Sequence, residues 1–99
     1  MSNNATVAQR RRMARVAELG CIACRHDGYF GTPAEIHHCK DHGYRNHKKV
    51  CSLCPVHHKP TSSIPGILNR HLNPIEFAEK YGTDEELHRK TCALLGEQP

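Results

Sequence analysis

The sequence predicts a small α+β domain that is held together by a bound metal. Its 99 residues include six cysteines and nine histidines, but only three tyrosines, two phenylalanines and no tryptophan. A chain this short buries little apolar surface, and a structural metal commonly compensates for a thin core. Two short strand-like segments lie between helical patterns, which favours α+β over an all-helical fold. We expect one domain over residues 1–99.

Helical patterns flank the central region. After a frayed stretch at residues 1–5, residues 6–20 are expected to form a basic N-terminal helix that ends at Gly20. Residues 73–96 are expected to form two C-terminal helices. The first would be capped by Asn73 and Glu76, and the second by the Thr83-Asp84-Glu85-Glu86 pattern.

The segments between these helices are shorter. Residues 21–24 are expected to supply half of a metal site and residues 25–33 a loop. Strands are expected at 34–39 and 50–53, joined by a basic loop at 40–49. Residues 54–60 are expected to form a knuckle, which is a tight metal-binding turn that opens a short helix.

Positive charge is concentrated in the half of the chain that is rich in cysteine and histidine. Residues 1–59 carry ten Lys and Arg against four Asp and Glu, while residues 60–99 carry four against six. A basic surface beside a metal site suits a nucleic acid. The arginines of the first helix would either contact phosphates or form a solvated face; they are Arg10, Arg11, Arg12 and Arg15.

Cysteine usage and hydropathy together predict the compartment. No apolar run is long enough for a signal peptide or a membrane helix, so we expect a cytoplasmic protein without a membrane partner. Thiols stay reduced there, and closely spaced cysteines are then metal ligands rather than disulfides.

Cys21 and Cys24 have the spacing of half a tetrahedral zinc site. The second pair is either Cys54 with His57 or Cys51 with Cys54. We favour Cys54 and His57, because a proline follows Cys54 and helps to fix a tight turn, whereas Cys51 falls in a predicted strand and could be a small buried residue. Cys39 and Cys92 have no spaced partner and are assigned to the core.

Further histidines have no role in such a zinc site. His37 and His38 are adjacent on a predicted strand, where neighbouring side chains point to opposite faces. His57 and His58 are adjacent at the knuckle, and His71 follows. On the strand, one histidine could hold a metal while the other accepts a proton. At the knuckle, one histidine could bind the structural zinc while the other faces a cleft. His42 and His88 are assigned to the surface.

This arrangement resembles the HNH nucleases, also called His-Me finger or ββα-metal nucleases. Glu35-Ile36-His37-His38 matches the first motif strand, and Leu53-Cys54-Pro55-Val56-His57-His58-Lys59 matches the knuckle, with His57 in place of the usual cysteine. Within this class the chain resembles the phage recombination-enhancement, RecA-dependent nucleases. The ordered segments LGCIAC, TPAEIHH, LCPVHHK and FAEKYGTDEEL carry this resemblance over about residues 19–87.

The chain departs from the pattern at the central asparagine of the motif. Position 49 is lysine, and Asn46 and His47 are the nearest candidates. The longer basic N-terminal extension of the related phage enzyme is represented only by the short arginine-rich helix.

The resemblance implies a zinc-stapled ββα-metal core at residues 21–72 with flanking helices. It implies metal-dependent hydrolysis of DNA phosphodiester bonds in phage or prophage recombination, inside a bacterial host cell, with a RecA-type filament as a further partner. His38 would be the general base, beside the catalytic residues His37 and His58. The ligands of a catalytic Mg²⁺ or Mn²⁺ would be His37, His58 and His71. The contacts to DNA phosphates would be Arg45, Lys48, Lys49 and Lys59.

Two non-catalytic functions are alternatives. The chain could be a zinc-stabilised nucleic-acid-binding module or a zinc-stabilised accessory protein in recombination. Either would need Cys21, Cys24, Cys54 and His57, but neither has a use for the remaining histidine cluster.

Overall fold

A computed structural model describes residues 4–39 and 45–98 of the chain. The described residues form a small α+β architecture, as the sequence predicts. Its elements in chain order are α1 (Val7–Glu18), α2 (Ile22–His26), β1 (Glu35–His38), β2 (Val50–Leu53), α3 (Pro55–His58), a 3-10 turn (Pro60–Ser62), α4 (Pro74–Tyr81) and α5 (Asp84–Leu95).

The two strands form an antiparallel sheet. Glu35 lies opposite Leu53 and His37 lies opposite Cys51. All four residues of β2 are buried, because α1, α2 and α5 contact this strand. Strand β1 is less covered, and three of its four residues are only partly buried. His37 is the buried residue of this strand, whereas His38 is partly exposed.

The longest helices begin at capping boxes. Thr6 and Gln9 cap α1, and Thr83 and Glu86 cap α5 as predicted. Each hydroxyl accepts a hydrogen bond from a backbone N–H of the first turn, which would otherwise lack a partner. Helix α5 ends at Gly96, whose φ of 74° is the left-handed conformation that glycine adopts most easily.

The core is thin and rich in sulfur. Its largest fully buried apolar side chains are Phe77, Leu53, Leu87, Val16 and Val50. Five of the buried residues around them are cysteines, which fill little volume. A core of this size supports the expectation that the fold needs an additional stabilising element such as a bound metal.

Three local predictions were wrong. Residues 22–26 form helix α2, where no helix was predicted and residues 25 and 26 were expected in a loop, because Cys21 caps a helical turn through the N–H of Cys24. Asn73 begins α4 but makes no side-chain capping bond; its Oδ1 accepts from the N–H of Asn69 instead. His88 is only 6% exposed, because its ring packs beside Cys92 within the same helix.

Other predictions lie outside the described residues. They are the fraying of residues 1–3, the loop at residues 40–44 and the surface position of His42. In the described part of the chain, no helix combines the length and the apolar character needed to cross a membrane.

Candidate metal centres and catalytic cleft

The four residues expected to bind zinc lie together. The ligand atoms of Cys21, Cys24, Cys54 and His57 all lie within 4.8 Å of one another. His57 Nδ1 lies 3.2 Å from the sulfur of Cys54 and 3.7 Å from those of Cys21 and Cys24, and the sulfurs of Cys24 and Cys54 are 3.9 Å apart. Zinc–ligand bond lengths imply tetrahedral edges of about 3.5 Å for S···N and about 3.8 Å for S···S. The donor set therefore fits a zinc ion.

Two chain turns supply these donors. Cys21 precedes α2 and Cys24 lies within it, while Cys54 precedes α3 and His57 lies on it. Each pair thus sits at the start of a short helix, where the backbone turns tightly. Burial raises the pKa of the Cys21 thiol to about 12, so a bound cation would be needed to deprotonate it at neutral pH.

Cys51 does not join this cluster. It is fully buried on β2, and its contact with the Cys39 thiol, followed by burial, raises its pKa well above the ordinary value. The geometry thus favours Cys54 with His57 over Cys51 with Cys54 as the second ligand pair.

A polar chain supports the ring of His57. His57 Nε2 lies 3.4 Å from the Tyr81 hydroxyl, which donates to Asp27 at 2.7 Å. This hydrogen bond lowers the pKa of Asp27, whereas burial and then the same bond raise the pKa of Tyr81. A proton on Nε2 leaves Nδ1 free to face the three sulfurs, which is how outer hydrogen bonds orient a histidine ligand.

A second cluster contains the other predicted metal ligands. The ring centroids of His37, His58 and His71 are 5.1 to 5.8 Å apart, and one nitrogen from each lies within 4.8 Å of the others. They line an open cleft of about 370 Å³. Its other lining residues are Ile36, His38, Arg45, Arg70 and Asp84.

Carboxylates hold two of these rings. His58 Nδ1 donates to Glu35 at 2.6 Å, and His37 Nε2 donates to Asp84 at 3.2 Å. Each hydrogen bond uses one ring nitrogen and leaves the lone pair of the other available to a metal. Burial opposes the charge of Glu35, but the hydrogen bonds from His58 and Lys59 outweigh it and lower its pKa.

The loop before α4 brings His71 to the cluster. The fully buried Asn69 donates to the carbonyls of Val56 and Lys59, and its Oδ1 accepts from the backbone N–H groups of His71 and Leu72. This network ties the loop to α3, which carries His58. Burial, followed by the neighbouring histidines, lowers the pKa of His71 and favours the neutral ring that a metal requires.

His38 lies in the same cleft at the end of β1. Its Nε2 is 3.0 Å from Nδ1 of His47, the residue near the expected position of the central asparagine. Burial and then the charge of Arg45 lower the pKa of His38, so the ring is neutral at neutral pH. Neutral imidazole is the form that can accept a proton.

The predicted phosphate contacts occupy different positions. Arg45 lines the cleft. Lys59 pairs with Glu35 at 3.2 Å and Lys49 pairs with Glu85 at 3.3 Å. Lys48 is exposed, and its backbone N–H donates to the Asn46 side chain. Among the helix arginines, Arg12 and Arg15 pair with Glu97, so their charge is partly neutralised.

Sequence reasoning assigned no contact in these sites to several residues that shape them. Glu35 shares a strand face with His37, since the two residues are two apart, and this spacing was a usable signal. Asp84, Arg70 and Tyr81 are at least 14 residues from the side chains that they contact, and no local pattern marks them. Asn69 holds backbone groups of Val56, Lys59, His71 and Leu72, which its sequence position did not indicate.

One comparison with known proteins bears on this site. The family model described as recombination enhancement, RecA-dependent nuclease matches residues 5–96. The chain belongs to this family. Membership makes it a nuclease with a role in recombination, and it confirms the family resemblance of the sequence motifs. A search of the curated proteins finds no match.

Proposed function

We propose that this nuclease is a metal-dependent DNA endonuclease of the HNH (ββα-metal) class. The observation that carries the proposal is the open cleft in which His37, His58 and His71 converge beside a neutral His38. A binding module has no use for three histidines at metal-binding distances next to a further histidine that can accept a proton. The hairpin of β1 and β2 followed by α3 supports the class.

We propose two metals with separate roles. Zinc at Cys21, Cys24, Cys54 and His57 would be structural, since this donor set has no open position. His37, His58 and His71 would hold a catalytic Mg²⁺ or Mn²⁺. When bound there, such an ion would polarise the scissile phosphate and stabilise the leaving oxygen. Imidazole is a softer donor than Mg²⁺ prefers, which favours Mn²⁺ of the two.

His38 would act as the general base. It would accept a proton from a water molecule while the water oxygen attacks phosphorus and the bond to the leaving oxygen breaks. Its ring would be held by His47, which together with Asn46 lies nearest to the expected position of the central asparagine. The lowered pKa keeps the base unprotonated at neutral pH.

The cations around the cleft would position the DNA backbone. Arg45 lines the cleft and would meet the phosphates nearest the cleavage point. Lys59, Lys48 and Lys49 lie further out and would contact flanking phosphates. Such contacts give affinity without sequence preference. We further propose a RecA-type filament as a partner, in the cytoplasm of a bacterial host, because the family carries RecA dependence in its description.

The first test is nicking of supercoiled plasmid with Mg²⁺ or Mn²⁺, with and without a RecA filament. His38→Ala should lower the rate by at least about 100-fold, because loss of a general base typically costs that much. DNA binding and the melting temperature should change little, since His38 is only partly buried.

His26→Ala is the matched control, because His26 is an exposed histidine on α2 outside the cleft. It should cleave like the wild type. Wild-type rates in His38→Ala would exclude His38 as the base. A wild type that binds DNA but cleaves it under none of these conditions would point to a binding module.

A further inference from the structure

Asp84 is a point at which three parts of the cleft meet. It is the first residue of α5, and its carboxylate faces β1 and the loop before α4. Oδ1 accepts from His37 Nε2 at 3.2 Å and from Arg70 Nε at 3.0 Å, and Oδ2 accepts from Arg70 Nη2 at 3.1 Å. All of these contacts join residues that are distant in sequence.

The first effect of Asp84 is on the ring of His37. A carboxylate can only accept, so the hydrogen bond fixes the ring proton on Nε2 and leaves the lone pair on Nδ1. It also fixes the angle of the ring. Without Asp84 the ring could adopt either tautomer, and a metal would have to select one of them.

The second effect reaches His71 through Arg70. Arg70 lies between Asn69 and His71, and its backbone N–H donates to the carbonyl of His57 at 2.7 Å. Its guanidinium grips both oxygens of Asp84, which is the strongest geometry for such a pair. Asp84 thereby anchors the segment that carries His71 against the strand that carries His37.

The third effect is on charge. The carboxylate of Asp84 is partly buried and forms an ion pair with Arg70 through two N···O contacts of 3.0 and 3.1 Å. The ionised carboxylate offsets the charge of Arg70 beside the cleft. Removing it would leave an uncompensated cation close to the position of a divalent metal.

The same contacts make Asp84 a poor metal ligand itself. The ligand atoms of His37, Cys39 and Asp84 lie within 4.8 Å of one another, so proximity alone would permit a site there. However, the guanidinium of Arg70 occupies both oxygens, and an entering cation would have to displace it. The side chain of Asp84 serves the histidines rather than replacing one.

We propose that Asp84, acting with Arg70, is a positioning residue that orients His37 and His71 for a divalent metal. The inference rests on the proposed function, because it takes the three histidines as the ligands of that metal. It adds a residue of the C-terminal helices to a site whose predicted ligands all lie before residue 73.

The test measures metal binding separately from cleavage. Protein with zinc already in the cysteine site is titrated with Mn²⁺, and free Mn²⁺ is followed by its electron paramagnetic resonance signal. Asp84→Ala should raise the Kd for Mn²⁺ by about 10- to 100-fold, the usual cost of losing such a partner of a ligand. Asp84→Asn should lie between Asp84→Ala and the wild type, because the amide oxygen can still accept from His37 but carries no charge for Arg70.

Glu85→Gln is the matched control. It removes a carboxylate from the same helical turn, but Glu85 pairs with Lys49 and Arg89 rather than with the histidines. Its Kd for Mn²⁺ should equal that of the wild type. Saturating Mn²⁺ should restore part of the nicking rate of Asp84→Ala, which a residue in the chemical step would not allow.

The outcomes separate the two proposals. Wild-type Mn²⁺ affinity in Asp84→Ala would overturn the positioning role and leave the nuclease mechanism standing. Weakened Mn²⁺ binding in this variant, together with a wild type that never cleaves DNA, would support the positioning role and overturn the mechanism. Failure of the wild type to bind Mn²⁺ would overturn both. If Asp84→Asn folds but binds no Mn²⁺ at any concentration, Asp84 is a ligand and not a positioning residue.

Discussion

At the scale of single residues, the histidines of this chain differ in the partner that each ring holds. His57 contacts a tyrosine, His58 and His37 contact carboxylates, and His38 contacts another histidine. Because the partner decides which ring nitrogen keeps a lone pair, it also decides what the ring can do. A carboxylate partner suits a metal ligand, whereas a histidine partner leaves a ring that can exchange protons.

Cys51 and Cys54 are three residues apart, but only Cys54 belongs to the proposed zinc site, which allows a sharp test of the ligands. Cys54→Ser should bind less than one equivalent of zinc and should lose its cooperative thermal unfolding, because a ligand to a structural metal contributes folding energy directly. Cys24→Ser should behave in the same way. Zinc content by elemental analysis and melting by circular dichroism measure the two effects.

Cys51→Ala is the control for this pair. Cys51 is buried only three residues away but lies outside the cluster, so the variant should keep one zinc and lose only a small amount of packing. Loss of zinc in Cys51→Ala with retention in Cys54→Ser would make the assignment of the second ligand pair wrong.

At the scale of elements, strand β2 and the loop before α4 place the cleft. Strand β2 is covered by three helices, so it fixes β1 and its two histidines through the sheet register. The loop lacks regular structure and depends on Asn69, whose side chain makes four hydrogen bonds to the backbone. One buried amide thus replaces a secondary-structure element in holding His71.

Asn69→Ala should therefore loosen the loop. We expect a loss of about 1–3 kcal/mol in the free energy of unfolding, because buried backbone groups lose their partners. Urea denaturation measures this loss. The Kd for Mn²⁺ should rise as well, since His71 would no longer be held beside His58.

Ser63→Ala provides the comparison, because Ser63 is exposed and, within the described part of the chain, its hydrogen bond is the one that its backbone N–H donates to the carbonyl of Pro60. It should change neither quantity. An Asn69→Ala protein with unchanged stability and metal affinity would show that the loop is held by other contacts.

At the scale of the whole molecule, the three cysteines of the proposed zinc site pack into the small hydrophobic core. Cys21, Cys54 and Tyr81 belong to the same buried cluster as Leu53 and Phe77. The donors also join α2 to α3, which are distant in sequence. A metal at this position would link the two ends of the central region and would offset the small number of large apolar side chains.

Zinc removal should therefore unfold the protein. A strong zinc chelator such as phenanthroline should abolish the cooperative melting transition, and added Zn²⁺ should restore it. The chelator supplied already saturated with zinc is the control and should have no effect. An unchanged transition in protein shown to be free of zinc would contradict a structural role for this site.

The sequence by itself predicted most of the elements and both groups of candidate ligands. Capping residues, glycines and short apolar segments marked the helices and strands, because these signals act between residues a few positions apart. The spacing of Cys21 with Cys24 and of Cys54 with His57 predicted a metal half-site at each turn for the same reason. The ordered motifs indicated the family, and the match of the family model over residues 5–96 confirmed it.

Only the tertiary structure decided which distant side chains complete these sites. The contact of Asp84 with His37 spans 47 positions and that of Tyr81 with Asp27 spans 54, so no local pattern could indicate either. The burial of His88 was missed for a similar reason. Helix α5 packs against α1 and β2, and the sequence of α5 alone does not show that His88 lies on the packed face. Local hydrogen bonds and spacing follow from short-range geometry, whereas the partners of buried polar groups depend on how the helices pack around β2.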